Sequence, residues 1–363
     1  MPKRFVWRFT LEPGEFLALA GARCYAADAE RNQYHARFAG WPHLHTLEGA
    51  TTVSPTDPLR HASTPSPIVV SGPMGAELVE RGVRWRGHGM LTDTDAVRAL
   101  YAEYLDAGCD VLRTNTFSLN ARIYLDVFRD PAHMAHIGAP GLETRHVDLT
   151  RKAVELAREA RAQTGKSDVS IAGVMGPLEH CFRPDLSPDH DTARAEHNEL
   201  AETLVEAGVD LLLVSSMNTL RETKAAIEAA RLTGLPFWVS FVLGPEGELL
   251  SRESLDEAVY QARKLGAEAV LVENVPPSAA EAALKRLEQG GPAGLIPHLG
   301  KYDPPSWKFE FFPRFADTAE WTPERVAELG HGWVHHGARI VGVGFGGGPA
   351  HVKALVAARE AAG

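Results

Sequence analysis

Side chains able to do chemistry gather in seven short stretches of the chain: Ser71–Gly75, Asn115–Ser118, Gly176–Cys181, Ser215–Asn218, Glu273–Val275, His298–Tyr302 and Gly344–Gly348. Each closes an apolar run rich in Val, Ile and Leu. Glu273 is a carboxylate that could act as a base or hold a cationic group, and His298 could act as an acid or base. Arg113 stands two residues before Asn115, so both side chains leave the same face of a strand and Arg113 could instead pair with Glu273. Asn115 and Thr116 would cost free energy if buried unpaired, which points to substrate contacts or to hydrogen bonds with a neighbouring strand. Gly72, Met74, Gly75, Glu179, Ser215, Asn218, Asn274, Tyr302 and Phe345 complete the candidate substrate contacts. His180, Cys181, Glu273 and His298 include residue types that bind zinc, although their spacing fits no metal motif. Trp307 and Phe309–Phe312 could wall a pocket for an onium cation through cation–π contact, or pack a loop. His331, His335 and His336 have helical spacing and read as one exposed helix face.

What could position these residues is visible in the alternation around them. From Pro67 onward, eight apolar runs alternate with amphipathic stretches. The runs are Pro67–Pro73, Asp110–Phe117, Val169–Gly176, Leu211–Asn218, Phe237–Leu243, Ala269–Val275, Gly294–Gly300 and Ala338–Gly346. The helical stretches include Thr92–Ala107, Arg145–Thr164, Asp189–Ala207, Thr219–Leu232, Ser254–Leu265, Ser278–Gln289, Thr322–His336 and Pro349–Ala361. Ser278–Glu281 has the form of a capping box, Thr322-Pro323 of an N-cap followed by proline, and Gly108, Gly208 and Gly266 stand where helices should stop. Strict alternation of eight units predicts a closed (β/α)8 TIM barrel over residues 67–363, with a doubly wound open sheet as the competing fold. The carboxyl ends of the strands, where barrel active sites form, are the seven stretches above. Residues 1–66 fall outside the pattern and read as an amino-terminal extension, with Ser54–Pro67 as an extended connector.

Composition limits the partners. The formal charge of -10 over 363 residues argues against nucleic acid and anionic membranes. Three scattered cysteines make no disulfide framework, and no apolar stretch reaches membrane-span length. A soluble cytoplasmic protein is expected.

Several stretches together resemble the homocysteine S-methyltransferase family, which includes betaine–homocysteine methyltransferase. Ser71–Gly82 (SGPMGAELVERG) is similar to its opening strand-and-helix signature, and Tyr101–Phe117 (YAEYLDAGCDVLRTNTF) to its second unit. Gly176-Pro177, Glu206–Leu213, Val272–Asn274 and the closing Gly346–His351 element continue the resemblance over about residues 67–360. The resemblance implies a barrel, methyl transfer between small molecules, and zinc held by three cysteines after the sixth and eighth strands. This chain departs at those positions: Val275, Gly344 and Phe345 stand there, and none of them binds metal. The acid that opens the family's first motif is Ser71 here, and the glutamate after the fourth strand is Ser215 or Ser216.

The sequence therefore predicts a methyltransferase of one-carbon metabolism without zinc or another cofactor. Its expected partners are a sulfonium or quaternary ammonium methyl donor and a small acceptor, with homo-oligomer formation open. A lyase or hydrolase on the same barrel and a non-catalytic small-molecule binding protein are the alternatives. The glycine-rich turn Gly344–Gly348 could cradle phosphate at a helix N-terminus or carry inherited geometry alone; no Lys, Ser or Thr joins it.

Overall fold

The computed structural model describes residues 58–61, 66–83, 89–122, 144–303 and 314–362. Ten strands follow in chain order: β1 (Ile68–Val69), β2 (Val111–Arg113), β3 (Ser170–Met175), β4 (Leu211–Met217), β5 (Phe237–Phe241), β6 (Ala269–Glu273), β7 (Ala293–Ile296), β8 (Lys301–Asp303), β9 (Arg314–Ala316) and β10 (Ile340–Val341). Eight of them form one parallel sheet in the order β1-β10-β7-β6-β5-β4-β3-β2. A parallel bridge between Val70 and Val111 joins the two ends, supported by Ser71 N–H donating to Val111 O at 2.9 Å and Asp110 N–H to Val69 O at 2.8 Å. The sheet is thereby closed, and the fold is the expected (β/α)8 barrel. The remaining two strands, β8 and β9, pair antiparallel as a hairpin in the loop after β7.

Helices return the chain between strands: α1 (Gly75–Glu80), α2 (Thr94–Asp106), α3 (Arg145–Gln163), α4 (His190–Ala207), α5 (Leu220–Leu232), α6 (Leu255–Lys264), α7 (Pro277–Leu287), α8 (Pro323–His335) and α9 (Pro349–Ala362). Thr322 caps α8 by accepting the Arg325 N–H, and Gly208 ends α4 at φ 90°, a left-handed conformation that favours glycine. The capping box expected at Ser278 does not form. Helix α7 begins earlier, at Pro277, because Pro276 and Pro277 set the first turn and put Ser278 inside it.

Side chains alternate in and out along the strands. Ile68, Val111, Ala172, Leu211, Leu213, Trp238, Leu271 and Ile340 belong to a buried inner cluster. Val69, Leu112, Ile171, Leu212, Val270 and Val341 face the helices in the larger outer cluster. One helical turn, Pro58–His61, interrupts the stretch expected to be extended, and its Leu59 packs against the inner cluster. The rest of the expected extension, and Trp307 with Phe309–Phe312, lie outside the described residues.

Candidate active site

The inward rows of the strands are apolar until their carboxyl ends, where they turn polar. Arg113 continues the row of Val111, Ser215 that of Leu211 and Leu213, Ser240 that of Trp238, and Glu273 that of Ala269 and Leu271. These four close over the barrel core as its uppermost layer, each 5% exposed or less. The Arg113 guanidinium donates through Nη1 to Glu273 Oε1 at 2.7 Å and through Nη2 to the Val343 carbonyl at 2.8 Å. The Ser215 and Ser240 hydroxyls each donate to Glu273 Oε2 at 2.6 Å. Ser240 Oγ in turn accepts the Ser216 N–H at 2.7 Å, and the Ser71 hydroxyl accepts the Arg113 N–H at 2.9 Å. The pairing of Arg113 with Glu273 that the sequence allowed is thus present, and both oxygens of the carboxylate are engaged.

Asn274 extends the network sideways. Its Nδ2 donates to Ser216 Oγ at 2.9 Å and its Oδ1 accepts the Phe345 N–H at 3.2 Å, tying the ends of β4 and β6 to the glycine-rich turn. Ser216 and Asn274 both adopt positive φ, 57° and 55°. Two non-glycine residues in this strained region, side by side at the top of a barrel, mark the layer as held in place by its surroundings.

Above this layer lies a cavity of about 40 Å³, space for roughly three water-sized groups. Arg113, Asn115, Ser215, Glu273 and Asn274 form its polar wall, and Met74, Gly75 and Phe345 part of the apolar one. Eight expected contacts therefore meet at one place. Pro73, Ala76, Thr114, Phe117, Ser118, Val174 and Gly344 join them. Phe117, Ser118 and Gly344 were within the strand-end stretches. Thr114 and Val174 were visible only as strand positions below those ends.

The other expected contacts do other work. Thr116, fully buried, donates to Val174 O at 2.7 Å and fastens β2 to β3. Gly72 makes room for Tyr104, whose hydroxyl would stand 2.4 Å from an added Cβ. Glu179 pairs with Arg122 at 3.0 Å, and Arg122 also binds Glu196. Asn218 Nδ2 donates to the carbonyls of His180 at 3.2 Å and Cys181 at 2.9 Å, fixing the loop after β3. His331, His335 and His336 are exposed, as expected.

Tyr302 and His298 belong to an aromatic cluster at the barrel mouth. Phe345 lies 5.5 Å from Phe315 in a stacked arrangement, 6.2 Å from Phe117 edge-on and 6.4 Å from Phe182. Tyr302 meets Phe182 at 4.6 Å, and His298 meets Phe315 at 4.6 Å. Phe182 escaped sequence reasoning because it sits in a loop, and Phe315 because its strand β9 is too short to leave a periodic trace. Burial drives the His298 imidazole down to about pH 4, partly offset by a hydrogen bond with the Gly300 backbone, so it is neutral at pH 7. The folded state then binds fewer protons than the unfolded chain between pH 4 and the ordinary histidine value near 6.5. His298 is therefore expected to cost stability as pH falls through that window, by at most about 1.4 kcal/mol per pH unit. Denaturant titrations at several pH values check this, with His298→Phe flattening the acid limb.

The three positions where the family resemblance implies zinc ligands are filled by packing. Val275 is 1% exposed within the outer core, and the Phe345 ring is part of the aromatic cluster. A Cβ on Gly344 would meet Asn274 Oδ1 at 2.3 Å, so that position has no room for a thiolate while Asn274 is in place. Among the described residues, no three His, Cys, Asp or Glu side chains converge on a common point. His180 is pushed down by burial and by Arg183, and the Cys181 thiol is pushed well up by burial and by Glu273. The residues present do not fit a zinc centre. Phosphate also finds no cradle in the turn. A Cβ on Gly348 would stand 3.0 Å from the Glu77 carboxylate, which places an anion beside the α9 amino end, and one on Gly347 would collide with Val343.

Comparison with known proteins agrees with this architecture. The homocysteine S-methyltransferase family profile matches residues 68–359. The homocysteine S-methyltransferase of Escherichia coli K12 is 27% identical over 322 residues, covering 80% of this chain and 94% of its own. The S-methylmethionine–homocysteine S-methyltransferase BHMT2 of Pongo abelii is 24% identical, covering 75% of this chain and 71% of its own. Methionine synthase of Mycobacterium tuberculosis is 24% identical over 74% of this chain, which spans 22% of that protein's length. Among solved structures, the oxidized form of the homocysteine methyltransferase MmuM from Escherichia coli superposes with a TM-score of 0.66 at 23% identity, covering 83% of this chain and 99% of its own. With the profile spanning most of the barrel, the chain belongs to the homocysteine S-methyltransferase family.

Proposed function

We propose that the protein is a methyltransferase that works without zinc, moving a methyl group from a small sulfonium or quaternary ammonium donor to a small acceptor. Family membership supports the reaction class. The observation that carries the rest is the pairing of an aromatic mouth with a polar floor whose metal positions are packed shut. Phe117 and Phe345 line the cavity where it meets the aromatic mouth, and an onium methyl group held at that mouth would meet aromatic surface. The acceptor lies beneath, beside Arg113, Asn115 and Ser118.

In the transfer, a lone pair of the acceptor, which has already lost its proton to water, attacks the methyl carbon along the line of the breaking bond. The C–S or C–N bond breaks as the new bond forms, and the donor leaves as a neutral sulfide or tertiary amine. Holding both partners in line supplies most of the rate. Glu273 is then an anchor rather than a base, because Arg113, Ser215 and Ser240 occupy its oxygens. His298, neutral and clear of the cavity, shapes the mouth instead of moving protons. Burial lowers the basicity of His180 and His298 and holds the Cys181 thiol protonated, which gives the lyase and hydrolase alternatives less support than methyl transfer. The partners are small molecules, and the proposed place of action is the cytoplasm. No helix among the described residues is long and apolar enough to cross a membrane.

The test is a panel of methyl-labelled donors, S-methylmethionine and betaine among them, with homocysteine and other small nucleophiles as acceptors. Labelled product in the presence of a metal chelator is expected. Phe345→Ala should raise KM for the donor roughly 3- to 30-fold with little change in the fold, the range of one lost cation–π contact. Turnover unchanged by both Asn115→Ala and Glu273→Gln would move the site elsewhere.

A further inference from the structure

Arg113 is the group with which this site departs furthest from a metal centre. Its guanidinium is 5% exposed and is fastened at two points. One bond runs to Glu273, which leads into Asn274 and Val275, and the other to Val343, which leads into Gly344 and Phe345. A fixed cation carried by β2 thus lies between the two turns that hold the emptied zinc positions. Relatives with cysteines there would place a metal cation between those turns; this chain places an organic one.

The hydrogen-bonding capacity around it is unbalanced. Glu273 accepts from three donors across its two oxygens. A guanidinium has five N–H donors, and the Arg113 Nε is buried without any partner. A buried unpaired donor on a cation is costly, and an acceptor brought beside the guanidinium would lower that cost. Among the described residues, no other Lys or Arg lines the cavity and Glu273 is its only carboxylate, so the spare positive hydrogen-bonding potential there belongs to Arg113.

We propose that Arg113 is an anion-binding residue that holds a small anionic group, a carboxylate or a thiolate, at the floor of the cavity. The volume of about 40 Å³ suits such a headgroup and little more. Asn115 and Ser118 also line this cavity. Placing this group on the acceptor rests on the methyl-transfer proposal; the binding itself does not, and it is measured without turnover.

The experiment is a calorimetric titration of the full chain, with no donor present, against propionate, its neutral isostere propionamide and 2-mercaptoethanol. Thiolate absorbance at neutral pH is followed in the mercaptoethanol arm. Propionate binding at least about tenfold tighter than propionamide assigns a carboxylate; a bound thiolate signal assigns anionic sulfur. Either preference should vanish in the double variant Arg113→Gln/Glu273→Gln, which removes both charges together, and survive in Arg113→Lys. Equal binding of charged and neutral probes to the native chain, no binding of either anion, or a preference that persists in the folded double variant overturns the proposal. Methyl transfer observed without any anion preference would overturn this site while leaving the reaction class intact.

Discussion

Glu273→Ala is expected to lower folding stability by about 3–5 kcal/mol, one of the largest effects of any single substitution in the site. The cause is the charge left behind. Arg113 is 5% exposed, and loss of the carboxylate removes its Nη1 partner at 2.7 Å while stranding the Ser215 and Ser240 hydroxyls. The double variant Arg113→Met/Glu273→Leu should recover most of that loss, because replacing a buried ion pair with apolar groups of similar volume is often neutral or stabilising. Its activity should stay absent. Denaturant unfolding of the two variants beside the native protein measures both. If Glu273→Ala costs less than about 1 kcal/mol, the pair is hydrated and the closed top layer described here is wrong.

Gly344→Ala should cost about 1–3 kcal/mol, the usual range for forcing an extra carbon into a packed interior. The added Cβ would meet Asn274 Oδ1 at 2.3 Å, and carbonyl oxygens of Ile296 and Pro297 stand at 3.1 and 3.2 Å behind it. Asn274 must swing away, giving up its bonds to Ser216 Oγ and to the Phe345 N–H. The two sites are therefore coupled. In an Asn274→Gly background, where φ of 55° suits glycine, Gly344→Ala should cost less by roughly 1 kcal/mol or more. A double-mutant cycle by chemical denaturation reads this coupling; additive costs would mean that Asn274 does not fill the space a side chain at position 344 would need.

Much of this was legible in the chain before any coordinates. Eight apolar runs with helices between them specify a closed barrel, the strand-end rule then collects Asn115, Ser215, Glu273, Asn274 and Phe345 at one cavity, and the two-residue spacing from Asn115 adds Arg113. The helix limits follow from Thr322 and Gly208, whose capping roles are local. Ser278 failed because two consecutive prolines before it decide the first turn more strongly than a capping pattern does. Asn218 and Glu179 stand apart from the cavity for a different reason. Strand-end residues that do not enter the cavity serve the loops around it, and only tertiary packing separates the two fates. The Phe182 and Phe315 rings were not legible, since contacts between distant loops leave no periodic trace. Nor could sequence show that Ser215 on β4 and Ser240 on β5 both serve the Glu273 carboxylate.

A barrel that holds a fixed guanidinium in place of a metal cation should carry no zinc, and metal content tests this most directly. The protein is purified without chelator and without a nickel affinity step, and zinc is counted per chain by elemental mass spectrometry. Far less than one zinc per chain, with labelled methyl transfer persisting in chelator, is the predicted result. Near-stoichiometric zinc would contradict it, because a metal would then be held by side chains that the described structure does not bring together.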